Sequence, residues 1–386
     1  MSGVGADWRT ALLVPALAVF TALVIGGLII AVSDVELLRL WADSPGTAIA
    51  ESWAVVSSAY GALFRGAFGG ARAISETLLA SSPLILAGLS VAVGFRAGLF
   101  NIGAQGQMLI GGMLATVIGF ALEIPVFLHL PLALIGAMVG GAFWGGIPGW
   151  LRAKTGAHEV ITTIMLNLIA VQFIDFLLTT EAIQRSGRDD PISKTVQISA
   201  RLPRLLGFLD RNDLRVHAGI IVALLSAYGV YWILFRSTIG FQFRAIGRNP
   251  DGAKYAGMNV VGLYIGVMAL AGALSGLAGA NQILGVPEYR AAPGFAGSIG
   301  FDAIALALLG RSHPVGVVFA GLLFGALRAG GQQMQAAAST SIPIDIILVV
   351  QALIIAFIAA PALIRAIYRV KAADAGTGQL TQGWGS

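Results

Sequence analysis

Residues 11–32, ALLVPALAVFTALVIGGLIIAV, run for 22 positions without a charge. Apolar stretches of about 18 residues or more are long enough to cross the hydrocarbon of a bilayer as helices. Only helices and closed barrels cross it, because no water is present there to satisfy the backbone. Comparable runs recur, and ten spans are expected: 11–32, 77–95, 108–122, 131–151, 160–178, 218–234, 263–283, 298–309, 315–330 and 342–364. With 57% hydrophobic and only 11% charged residues, the chain reads as all-α and polytopic, with no soluble domain. One transmembrane domain is expected over 1–371, followed by a disordered tail, 372–386. The 51 glycines fit close helix packing in lipid.

Ala31-Val32-Ser33 resembles the cleavage site of a signal peptide. The apolar core before it exceeds the roughly 7–15 residues of such peptides, so an uncleaved first span is expected. With ten spans and the N-terminus inside, the cytoplasmic segments hold 12 of the 24 basic residues against four acids. The outer segments balance bases against acids, and most of both lie in two long loops. Short basic connections mark the cytoplasmic side, which places both termini and residues 244–260 there. Trp53, Val56, Tyr60, Leu63 and Phe64 recur at helical spacing within 52–68, as in a helix lying in the outer interface. The outer loop 179–217 is the longest connection and reads as structureless; loops of that length are usually functional.

Several functions are excluded at this level. The absence of cysteine removes disulfides, thiolate metal sites and cysteine nucleophiles. The four histidines (129, 158, 217 and 313) lack ligand spacing, so no metal site or cofactor is expected. No G-x-x-x-x-G-K-[ST] loop occurs, so the chain does not hydrolyse ATP alone, and no nucleophile–base pair suggests a catalytic site. The sequence pI of 9.7 reflects bases in short loops rather than nucleic-acid binding.

One hydrophilic cassette stands between two long apolar runs: RAIGRNPDGAKYAGMNV, 244–260. Asn249-Pro250-Asp251 signals a helix start, with Asn249 as cap and Pro250 at the first helical position. A short helix then runs through Ala253, Tyr255 and Ala256, and Gly257 stops it. Small residues such as Gly247 and Ala256 admit a close surface, Tyr255 can fill a pocket, and Arg244 can meet an acidic rim. A plain positive-inside loop explains the charges equally well.

The cassette resembles the cytoplasmic coupling segment of permease subunits in ABC importers of the ribose, branched-chain amino acid and nucleoside class. GLFNIGAQGQMLIGG at 98–112, HEVITTIMLN at 158–167 and GFDAIALALLGRSHPVGVVFAGLLFGALRAGG at 300–331 agree with it. Together they resemble the nucleoside branch, whose permeases work with binding lipoproteins of the basic membrane protein family. The resemblance implies an ABC ATPase docked on 244–260, a second homologous permease, a substrate-binding lipoprotein outside, and a bacterial cytoplasmic membrane location. Rival readings are a permease for sugars or branched-chain amino acids, or an ion-coupled secondary transporter.

A path for a polar solute needs hydrogen-bonding groups at membrane depth, where they are otherwise costly. Asn101, Gln105 and Gln107 cluster in NIGAQGQ, while Asn167 and Asn281 lie within spans. Amides donate and accept together, which suits ribose hydroxyls and base edges. The glycines around 98–112 could break a helix near the midplane, as transporters do around binding sites. Alternatively, 96–107 is a cytoplasmic turn, and lone amides bond neighbouring helices. Asp302 and Asp345 open spans eight and ten, where the helix dipole favours a carboxylate; Asp302 is also a path candidate.

Overall fold

The structure is a computed structural model that describes residues 8–33, 35–336 and 344–370. It is helical throughout, with no strand among the described residues beyond two isolated bridges. The tail 372–386 and the first two residues of the tenth expected span lie outside the described residues. Among the described residues, eight helices are long and apolar enough to cross a membrane. Large apolar side chains face outward along them, including Phe143, Ile161, Phe176 and Leu225, each more than three-fifths exposed. Such surfaces match a lipid solvent.

The chain divides into two compact units. The unit formed by the terminal stretches, up to Ala62 and from Met334, holds α1 (Trp8–Ser33), α2 (Val35–Asp43) and most of α3 (Pro45–Phe68). The α3 helix is the amphipathic element expected over 52–68, begun about two turns earlier. Its Tyr60 hydroxyl donates to the Leu23 carbonyl of α1 at 2.5 Å.

The central unit, residues 63–333, carries α4 (Ala71–Arg96), α5 (Ala104–Ala121), α6 (Val126–Thr155), α7 (Glu159–Leu178), α8 (Gly219–Arg236), α9 (Thr238–Arg248), α10 (Pro250–Tyr255), α11 (Val260–Gly285), α12 (Ile299–Leu309) and most of α13 (Pro314–Ala336). Its core is the seam of α5, α6 and α11. A side chain on Gly141 would collide with the Gly272 carbonyl, so the small residues at four-residue spacing bring the backbones together. The terminal unit regains α14 (Ile344–Ala359) and α15 (Pro361–Tyr368).

Two expected spans differ. Residues 299–309 form a helix of 11 residues, about 16 Å long, roughly half the hydrocarbon thickness. The tenth expected span breaks at Ala360, where Pro361 starts a new helix because it lacks the N–H that would continue the old one. The outer loop is not structureless. Ser193 and Val196 donate backbone bonds to Ala291 and Tyr289, Leu202 donates to Leu284, and Arg215 pairs with Glu76 at the start of α4. Two single 3₁₀ turns, Ile198–Ala200 and Gly207–Leu209, complete it.

Candidate functional site

The coupling cassette folds as its residues dictate. Asn249 Oδ1 accepts from Gly252 N at 2.8 Å, Pro250 occupies the first helical turn, and Gly257 adopts φ 81°. Met258 N then bonds back to Ala253 O at 3.0 Å, closing the helix end. Tyr255 is 97% exposed, and Ala256 is exposed beside it. Ala253 instead is buried against its own chain, so the two alanines do not share an outward face.

Behind α10, helix α9 presses on the end of α4. Gly98 has φ 70°, and a Cβ there would lie 2.9 Å from the Gly247 Cα. A Cβ on Gly247 would lie 2.7 Å from the Arg96 carbonyl oxygen, so the two backbones touch. Arg96 Nε donates to the Ser312 carbonyl at 2.8 Å, and the guanidiniums of Arg96 and Arg244 stand 5.4 and 5.6 Å from the Phe235 ring. Burial first, and then the Arg96 charge, lower the pKa of His313, whose ring packs on Phe235. Nearby, Glu159 approaches Arg152 at 3.5 Å and the Phe100 N–H at 3.5 Å. The short connections that the charge pattern assigns to the cytoplasm therefore meet at one end of this unit.

From that end, residues 97–103 fold back into the protein as a buried, non-helical turn. Asn101 and Gln107 pair reciprocally, each amide nitrogen donating to the other's oxygen at 3.0 Å. Asn101 Oδ1 also accepts from Gly103 N at 3.0 Å, and Ser275 Oγ donates to Ser90 Oγ at 2.8 Å beside it. Asn167 of α7 accepts from Gly106 N and donates to the Ile102 carbonyl. Gln105 clasps the start of α12, donating to Gly297 O at 2.7 Å and accepting from Gly300 N at 2.9 Å. Four expected residues thus form one joint in which every amide oxygen and nitrogen has a partner, 0–7% exposed.

The remaining two stand apart. Asn281 accepts from Ser82 Oγ at 2.8 Å, and its buried Nδ2 has no partner among the described residues. Asp302 is not a simple helix cap: its Oδ2 accepts from Ser298 Oγ at 3.0 Å and pairs with Arg328 of α13. The sequence gives no direct sign of this partner, since Arg328 reads there as a charge at an outer span end. In the structure it stands at position 15 of a helix of 23, well inside the helix rather than at its end.

Residues 73–360 match the family described as the branched-chain amino acid transport system permease component. The chain belongs to this permease family. It is 40% identical to the guanosine ABC transporter permease NupP of Bacillus subtilis (strain 168) over 354 residues, 92% of this chain and 94% of that one. It is 41% identical to the nucleoside ABC transporter permease NupB of Lactococcus lactis subsp. cremoris over 307 residues, 78% and 82%. Similarity to the glucose ABC transporter permease TsgB13 of Haloferax volcanii is 35% over 350 residues, 89% and 86%. No solved structure matches the chain. As an ABC permease it is not itself catalytic; ATP hydrolysis lies in separate subunits.

Proposed function

We propose that the permease carries nucleosides across the bacterial cytoplasmic membrane, with 244–260 as the seat of its ATPase. The observation that supports this most is the contact of Gly247 with Gly98. It sets α9, which carries the capped helix α10 and its bare tyrosine just beyond its end, directly on the turn that leads, three residues later, into the buried amide joint. A push on α10 from outside the membrane is carried by backbone into the helix-bearing core. The 40% identity to a guanosine permease over nearly the whole of both chains supports the solute class. A sugar remains the second reading, favoured by the likeness to the glucose permease.

A homologous second permease completes the pathway, and a binding lipoprotein delivers solute to the ordered 179–217 face. That face offers exposed Ile198 and Phe208 and a groove of about 840 Å³ beside Val126 and Arg201.

The test is uptake of labelled guanosine together with ATPase pull-down. Gly257→Val places a branched side chain at positive φ, and Ala256→Glu puts bulk and charge on the exposed face beside Tyr255. Both variants are expected to insert normally yet lose more than nine-tenths of uptake and their grip on the ATPase. Wild-type uptake in both would remove 244–260 from the coupling role.

A further inference from the structure

The Ser298–Asp302–Arg328 cluster is built but incomplete. Arg328 Nη2 donates to Ser298 Oγ and to Asp302 Oδ2, and Ser298 Oγ donates to the same carboxylate oxygen. Among the described residues, Asp302 Oδ1 and Arg328 Nε and Nη1 have no hydrogen-bond partner. The two side chains are 23% and 26% exposed.

Arg328 lies about 21 Å along α13 from Pro314, and Asp302 lies about 10 Å from the end of α12 at Leu309. Exposed charge at such depth faces lipid, a neighbouring subunit or a water-filled recess. The faces of α13 decide against lipid. Val315 and Phe319, 52% and 67% exposed, stand about half a turn away from Arg328 at roughly 100° per residue. Gly321 and Gly325 stand within about 60° of Arg328 on the same reckoning, and they pack on Ile85 and Ser81 of α4. Arg328 thus shares the inward face of its helix, with exposed Gln332 one turn on. Gln105, through Gly297 and Gly300, holds this same helix start in place.

The unused capacity is one carboxylate acceptor beside guanidinium donors, on a pair with no net charge. One hydroxyl can donate to Asp302 Oδ1 while its neighbour accepts from Arg328; two hydroxyls on adjacent carbons use both at once. A neutral solute enters without stranding either charge. We propose that this cluster recognises the vicinal diol of the solute's sugar ring, so that Asp302 and Arg328 set a preference for ribosides over 2′-deoxyribosides. The inference rests on the nucleoside reading above.

Uptake of guanosine and of 2′-deoxyguanosine is compared in cells carrying the whole transporter, with every other subunit unchanged and permease levels measured in the membrane. The variants are Asp302→Asn and the neutral pair Asp302→Asn/Arg328→Gln, which avoids an unpaired charge. Arg328→Lys keeps the ion pair without the planar fork and serves if the neutral pair fails to insert. The riboside-to-deoxyriboside ratio should fall at least about tenfold from wild type, as expected when hydrogen bonds to charged groups are lost. Equal losses for both solutes, or an unchanged ratio, overturn the diol site and leave nucleoside transport standing. Absence of any nucleoside uptake by the wild type overturns both.

Discussion

The amide joint around Asn101 and the ion-pair cluster around Asp302 are both polar islands among apolar helices, yet only the first is almost wholly buried. In the joint, four amides spend their strongest bonds on each other and on backbone groups of the 102–106 and 297–300 segments. A network bonded in that way and almost wholly buried fixes one geometry and presents little to a passing solute. In the cluster, one carboxylate oxygen is doubly used, the other has no partner among the described residues, and the groups are partly open. We propose on this difference that the closed joint transmits shape and that the cluster with leftover capacity binds. Composition alone does not separate them, and on composition the amides look like the better binding site.

The largest effect is expected where the coupling end meets the joint. Gly98→Val meets the Gly247 backbone and a positive φ together, and the strain alone is worth about 1–3 kcal/mol. We expect uptake to be abolished while the riboside preference of any residual activity is unchanged, as read by the same paired uptake assay. Gln107→Ala comes next. It removes the reciprocal partner of the buried Asn101 amide, which keeps only Gly103 N and a 3.4 Å bond to Ser90 Oγ, at a cost of about 1–3 kcal/mol, seen as a lower unfolding temperature in detergent. Selectivity should not move, and a shift in the solute ratio would place binding in the joint after all.

The smallest expected effect is a pH response at a third, intermediate cluster. His217 accepts from Gly219 N at 3.1 Å, and its buried Nε2, like Asn281 Nδ2, has no partner among the described residues. Burial pushes the His217 pKa down to about 4 from an ordinary value of 6.5. Between those values the unfolded chain holds more protons than the folded one, so stability falls as the pH drops. From pH 7 to pH 5 the loss is about 2 kcal/mol. Thermal unfolding at the two pH values should show it in wild type and lose that part in His217→Gln.

The sequence made local structure legible and long-range pairing illegible. Asn249, Pro250 and Gly257 announce the α10 helix because caps and stops act within a few residues. The amide cluster was visible as NIGAQGQ, but its closure depends on Asn167, Gly297 and Gly300, far along the chain. Arg328 meets Asp302 across 26 positions, and no helical or strand period links them. Residues 298–309 are apolar enough to look like a span, and only their folded length reveals a half-helix. The 179–217 loop looked structureless because its backbone partners, Leu284, Tyr289 and Ala291, lie elsewhere.

The ion pair of Asp302 and Arg328 also bears on energy coupling. A lone charge shifted across the whole membrane field exchanges about 2.3 kcal/mol with each 100 mV of potential. Two opposite charges held together carry no net charge through that field, however far their helices move, and the uncharged amide joint adds none. The rearrangement of these elements is therefore electrically silent, and a cell whose membrane potential has collapsed can still drive it for as long as nucleotide lasts.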